Sequence, residues 1–191
     1  MARTKAFNEQ EALHKALDIF WQKGFEATSL NDLVDGMGIR RQSLYDTFGD
    51  KKSLFIKALK NYRDQSLDMQ KKLLSGNDSI SDLAGFLTNI TVSRKDCHGC
   101  FTVNTLVGVG ESDPDIEKLV KETTDQIRTQ IVKTILSGQE TNQIRKDKPA
   151  EELADIIFGA LISTNVLSKV KGHENSIQTI NQQALDHLKQ P

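Results

Sequence analysis

Apolar residues recur at three- and four-residue steps along most of this chain. The first run, Ala12, Leu13, Ala16, Leu17, Phe20 and Trp21, predicts a helix that begins near Asn8 and ends at Gly24. In the next stretch, "TSLNDLVDGMG" (28–38), Ser29 and Asp32 stand in capping-box spacing and Gly38 supplies a turn. Leu30, Leu33, Val34 and Met37 give that short helix its apolar side. A third helix over about 40–47 turns Leu44 and Phe48 inward. Asp50 can cap a longer fourth helix, carrying Leu54, Phe55, Ala58, Leu59 and Tyr62 to about Leu74.

The helical period resumes after the polar break "SGNDS" (75–79). A fifth helix is predicted over about 80–94 and a sixth over about 100–109. Pro114 opens a seventh that ends near Ser137 and Gly138, and Pro149 precedes an eighth that reaches about Lys171. A ninth runs over about 176–189. The chain shows no internal repeat and no convincing strand alternation. The predicted fold class is all-α with about nine helices. An N-terminal helix-turn-helix three-helix domain (1–50) and a connecting helix (51–74) lead to a C-terminal helical bundle (75–191).

Charge sharpens this division. The net charge of −1 argues against a wholly basic nucleic-acid coat. Residues 1–72, however, carry 13 Lys and Arg against 10 Asp and Glu, and the remainder carries 12 against 16. The basic excess therefore lies with the first four helices. No apolar run approaches the ~20 residues of a membrane span, and the first ten residues lack a signal-peptide core. These features lead us to expect a soluble, cytoplasmic protein without a membrane partner.

Two short helices around a glycine turn, packed on a longer first helix, are a helix-turn-helix arrangement. With Leu44 and Phe48 inward, Arg41, Gln42 and Tyr45 form one polar face of the third helix. Arginine can pair bidentately with guanine, glutamine with adenine, and a tyrosine hydroxyl with a phosphate. Lys51 stands in the first turn of the fourth helix, where a cation opposes the helix dipole unless a phosphate lies near. Spacing, turn glycine and misplaced lysine together favour a DNA reader over a solvated helix hairpin.

The stretch "ALDIFWQKGFEATSLNDLVDGMGIRRQSLYDTFGDKKSLF" resembles the N-terminal domain of TetR/AcrR-family regulators, a likeness that covers about residues 8–60. Its landmarks are Gly24-Phe25, Thr28-Ser29, Asp32-Leu33, Gly38-Ile39, Leu44-Tyr45, Phe48 and Lys51. The resemblance implies that Thr28, Tyr45 and Lys51 grip phosphates and that Arg40, Arg41, Gln42 and Ser43 lie at base edges. Arg40 and Gln42 stand where small residues are common, and Thr47 where His or Tyr is common, so the operator sequence does not carry over.

For the remaining two thirds, the resemblance implies a helical domain that binds a small-molecule effector and forms a homodimer through its last two helices. Leu153, Ile157, Leu161, Thr164 and Leu167 on the eighth helix and Ile177, Ile180 and Ala184 on the ninth are assigned to that seam. Their periodicity alone is equally that of a plain core. Phe86, Cys100, Phe101, Asn104 and Phe158 are the candidate pocket residues.

"CHGCFTVNTLVGVGE" (97–111) resembles a "GC-apolar-x-V-N" segment found in one branch of the family. It places Cys100 at the start of the sixth helix, a setting in which reactive thiols occur, with Cys97 as a resolving thiol. Sensing and simple packing both fit the pair. A zinc site would need two more ligands, so neither metal nor cofactor is expected. No phosphate loop, Ser/His/Asp set or paired carboxylates suggest an enzyme. The expected function is a DNA-binding transcriptional regulator, a repressor released from a palindromic double-stranded operator by a small molecule or by thiol modification. The rival reading is a cysteine-dependent redox enzyme with incidental basic helices.

Overall fold

The structure, a computed structural model, describes residues 7–92, 99–109 and 113–189, without the side chains of 90–92 and 109. The described residues form helices and no strand. These are α1 (Glu9–Lys23), α2 (Leu30–Met37), α3 (Arg41–Phe48), α4 (Lys51–Leu73), α5 (Ser79–Val92), α6 (Phe101–Val109), α7 (Pro114–Glu140), α8 (Ala150–Leu167) and α9 (Glu174–Asp186). The all-α expectation holds.

Local chemistry sets most of the boundaries. The Asn8 side chain accepts from the amides of Gln10 and Glu11, which frees α1 of two orphan donors. Both halves of the Ser29–Asp32 capping box form at α2. Gly38 ends that helix at φ 68°, a left-handed conformation that favours glycine. Asp113 caps α7 with Pro114 in its first turn.

α9 ends at Asp186, short of the expected 189, and two further helix ends differ from expectation. α7 runs past Gly138 to Glu140, because Gly138 is a packing position and not a stop. A Cβ there would lie 2.6 Å from the Ile144 side chain and 2.9 Å from that of Ser79. α8 ends at Leu167, four residues early, and a turn through Gly172 (φ 92°) leads into α9.

The helices enclose two hydrophobic clusters. One gathers Ala16, Phe20, Leu33, Leu44 and Phe55 from α1–α4, joined by Phe101 of α6 and by Ile116, Leu119 and Val120 of α7. The other holds Leu74, Leu83, Leu87, Ile131, Ile157 and Ala184 from the end of α4 and from α5, α7, α8 and α9. α7 therefore supplies both clusters, and the reading head borrows core residues from α6 and α7. Each fully buried Leu, Ile or Phe contributes roughly 1.5–3 kcal/mol of apolar burial.

The assignment of α8 and α9 residues to a dimer seam needs correction. Leu153, Ile157, Leu161, Thr164, Ile177 and Ala184 are at most 7% exposed within one subunit. They pack α8 against α5, α7 and α9, and the Thr164 hydroxyl donates to Asn181 Oδ1 at 2.9 Å. Leu167 and Ile180 are half-buried. A different stripe of α8 and the turn after it faces outward, through Ile156, Gly159, Val166 and Val170.

Candidate DNA-reading surface and ligand cavity

α1 and α4 form the platform on which α2 and α3 sit. Leu44 and Phe48 anchor α3 into the first cluster, which leaves Arg40, Arg41, Gln42 and Tyr45 exposed and Ser43 half-buried. Arg41 and Gln42 are already engaged locally. The Arg41 guanidinium donates to Asn31 Oδ1 at 2.8 Å, and Gln42 Nε2 donates to Asp46 Oδ1 at 2.7 Å. Lys51 Nζ donates to the Glu26 carbonyl at 3.3 Å and lies 4.6 Å from the centre of the Phe25 ring. Its place in the first turn of α4 is therefore offset inside the protein, without the phosphate that the sequence argument required.

Thr28 is the second correction. Its side chain is 1% exposed and donates its hydroxyl to the Gly24 carbonyl at 2.6 Å. Thr28 ties the α1–α2 turn and presents no free hydroxyl to a phosphate. Ser29 and Asp32 beside it hold the cap, and Lys23 with the Ser29 bonds keeps the Asp32 carboxyl well below the usual carboxylate range.

Sequence reasoning missed Lys52. It bridges Asp113 at 2.9 Å and Asp115 at 2.6 Å, tying the start of α4 to the start of α7. Hydrogen bonding to Asp115 and then Asp113 pushes the Lys52 pKa up to about 12, and Lys52 in turn lowers that of Asp113. The signal was legible as a second first-turn lysine, but its partners lie over 60 residues away in sequence.

Above the head, a cavity of about 320 Å³ opens between α1, α4, α5, α6, α7 and α8. Of the candidate pocket residues, Phe86, Cys100 and Phe158 line it and Phe101 and Asn104 do not. Phe101 sits one residue along α6 and turns away, into an aromatic cluster. Its ring lies 5.8 Å from Trp21, 5.5 Å from Phe55 and 5.8 Å from Tyr62. Asn104 lines a smaller groove beside α1 and α4.

Sequence reasoning did not assign Trp21, Tyr62, Gln70 or Asn165 to the cavity, yet all four line it. Asn165 was detectable as a polar residue four positions after Leu161 on the inward face of α8. The Tyr62 hydroxyl donates to Cys100 Sγ at 3.4 Å. Gly99 makes that placement possible. Its φ is 68°, and a Cβ would lie 2.8 Å from both the Asn165 carbonyl and Lys169 Cε. Cys97 lies outside the described residues, so no pairing with Cys100 is described.

A helix-turn-helix head with an exposed polar face on its third helix, set beneath a cavity, is the arrangement of a DNA-binding regulator. Family profiles make the assignment specific. Residues 12–58 match the bacterial regulatory proteins of the tetR family, and residues 80–184 match the tetracyclin repressor-like C-terminal domain. The chain belongs to the TetR family of transcriptional regulators. It is 27% identical over 183 residues to YezE, an uncharacterised HTH-type transcriptional regulator of Bacillus subtilis, covering 93% of this chain and 94% of that protein. It is 33% identical over 124 residues to the HTH-type transcriptional repressor ComR of Escherichia coli, covering 62% and 59%. A solved structure of a TetR family regulator, a CifR cysteine mutant with 26-bp double-strand operator DNA, superposes with a TM-score of 0.77 at 26% identity. That match covers 96% of this chain and 98% of the other. No described helix is long and apolar enough to cross a membrane.

Proposed function

We propose that this chain is a repressor that binds a roughly palindromic operator as a homodimer and leaves it when a small molecule enters the cavity. The observation that carries this reading is the shared wall between cavity and head. Trp21 and Tyr62 line the cavity and also pack against Phe101, which belongs to the first cluster together with Leu44 and Phe48 of α3. A ligand that displaces either ring acts on α1 and α4, the platform of the recognition helix. It shifts the operator equilibrium only by its preference for the conformation with wrongly spaced heads. Arg40, Arg41, Gln42 and Ser43 read bases in this account, while Tyr45 and Lys51 hold phosphates. By similarity, the operator-bound CifR mutant supports operator binding and the repressor ComR supports the sign of regulation.

The outward stripe of Ile156, Gly159, Val166 and Val170 is the dimer seam in this reading, flanked by Leu167 and Ile180. Two copies meeting there through a two-fold axis would present two α3 helices to successive major grooves. Thiol control is a second reading, favoured by one contact. Cys100 opens α6 on the cavity wall with the Tyr62 hydroxyl on its sulfur, so alkylation there adds bulk where a ligand would sit.

A titration of labelled duplex enriched from random DNA, run at two salt concentrations, tests the assignment of roles. Arg41→Ala should cost about 1–3 kcal/mol and relax base preference at one position per half-site. Lys51→Ala should weaken all sequences alike and reduce the salt slope by about one. A change of selectivity in Lys51→Ala without one in Arg41→Ala would reverse the roles. Repeating the titration after maleimide treatment of wild type and Cys100→Ser decides the second reading. Unchanged operator affinity of fully alkylated wild type would leave Cys100 as a packing residue.

A further inference from the structure

The polar groups of the cavity point to one kind of occupant. Asn165 is 2% exposed, and its Nδ2 donates to the Leu161 carbonyl at 2.8 Å. That carbonyl can meet only an N–H, so the side-chain orientation is fixed and Oδ1 is the atom left over. No described group donates to Asn165 Oδ1, although it is fully buried. Gln70 on α4 lines the same cavity, and its side-chain amide meets Ser66 Oγ at 2.9 Å. A hydroxyl both donates and accepts, so that contact satisfies the Gln70 amide in either orientation. Asn165 also lines the cavity, so one buried acceptor beside it has no described donor. Unmet acceptors of this kind are costly to a folded chain and are seldom retained without a partner.

Charge on the wall excludes one large class of ligands. Among the described lining residues there is no lysine or arginine, and the carboxylate present is that of Asp18. Lys169 packs its stem over Gly99 without lining the cavity. His14 Nδ1 lies 2.9 Å from the Gln10 carbonyl and its Nε2 lies 3.2 Å from the Gln65 amide nitrogen. A carboxylate or phosphate would therefore leave water for a wall with no described lysine or arginine to receive it. The remaining surface is apolar, supplied by Leu17, Trp21, Phe86, Ile127 and Phe158. At about 320 Å³, the cavity is about twice the ~150 Å³ that holds one benzene ring.

We infer that the cavity selects a neutral, largely apolar molecule that carries a hydroxyl or comparable hydrogen-bond donor, received by Asn165 Oδ1, over a carboxylate of the same size. The inference names the chemistry of the effector and rests on the effector reading only for its regulatory meaning. The donor requirement itself is a property of the wall.

Trp21, the single tryptophan of the chain, lines the cavity, so its emission reports occupancy without DNA. The full-length protein is titrated with 1-octanol, methyl octyl ether and sodium octanoate, which share one apolar body. The alcohol has a donor, the ether has only an acceptor, and the carboxylate is an anion. Octanol should bind up to roughly tenfold tighter than the ether, the worth of one net hydrogen bond, with octanoate weaker than both. Asn165→Leu should bring octanol and the ether closer together by several fold. Asn165→Met, whose unbranched side chain adapts to the site, serves if Asn165→Leu fails to keep its helical circular dichroism. Octanoate binding as tightly as octanol, an ether equal to the alcohol in wild type, or no emission change with octanol would each overturn the proposal. A parallel operator titration separates the two readings. Octanol that fills the cavity without weakening operator binding leaves the cavity chemistry standing and removes the effector role.

Discussion

The reading head and the cavity use polar side chains in opposite ways. On the head, Arg41, Gln42 and Lys51 lie outside and are partnered by their own neighbours, Asn31, Asp46 and the Glu26 carbonyl. Beside the cavity, Asn165 lies inside and keeps one acceptor unmet by any described group. An exposed group loses little by exchanging one partner for another, whereas a buried unmet acceptor gains from any donor that reaches it. The head is therefore suited to testing many surfaces in turn, and the cavity to holding one kind of molecule. Between them stand aromatic rings that belong to both.

That contrast fails if the two regions fold independently, and Phe101 tests it hardest. Replacing this 2%-exposed ring with Ala should cost about 3–5 kcal/mol and lower a single cooperative unfolding transition in denaturant. Two separated transitions, with the head unaffected, would mean that the shared cluster does not couple the regions.

Dimerisation sharpens the comparison from outside. Ile156→Asp combined with Val166→Asp should yield monomers in sedimentation that keep their helical signal. Their operator affinity should fall by roughly two orders of magnitude as tethering of the second head is lost. A charge at the buried Leu161 should instead destabilise the fold itself, which distinguishes the outer stripe of α8 from its inner one.

A smaller effect separates turn-holding from phosphate contact in the head. Thr28→Val removes the hydroxyl that meets the Gly24 carbonyl and should cost about 1 kcal/mol of stability, with Thr28→Ser near wild type. The salt slope of operator binding should not change in either variant. A slope reduced by about one in Thr28→Val would return Thr28 to the phosphate.

The smallest effect concerns the Lys52 bridge. Asp113 is held below its ordinary value by Lys52, so its contribution is complete above the normal carboxylate range and is lost as pH falls through the lowered value. Lys52, raised to about 12, contributes fully below its ordinary 10.5 and loses that contribution as pH rises through about 12. Wild type should therefore show a slightly larger drop in thermal midpoint than Lys52→Met on acidification from pH 7 to pH 3. Equal drops in the two proteins would show that the bridge adds nothing to folding.

Legibility follows the range over which each feature is encoded. The head is written in neighbouring residues: Asn8 before its helix, Ser29 three before Asp32, and Gly38 where φ must be positive. Such features need no knowledge of the remaining chain. The cavity is assembled from six helices, and helical periodicity places a residue inward without saying whether it meets a neighbour or a void. Phe101 and Cys100 are adjacent in sequence, yet one enters the aromatic cluster and the other the cavity wall. The inner stripe of α8 was read as an interface for the same reason, since apolar spacing does not reveal which body covers it. Gly138 resembles a helix stop in sequence because its true neighbours, Ile144 and Ser79, are brought there only by the fold.

The bonds from Arg41 to Asn31 and from Gln42 to Asp46 carry a consequence for how the protein searches a genome. In the base-reading role proposed for Arg41 and Gln42, each base contact would be an exchange reaction, in which a partner already held must be released before a new one is gained. A random sequence that offers a poorer match than Asn31 or Asp46 would leave these side chains where they are. A matching sequence would displace both partners at once. Part of the discrimination between right and wrong sites would then be stored in the free protein, as the quality of the internal contacts that DNA must replace.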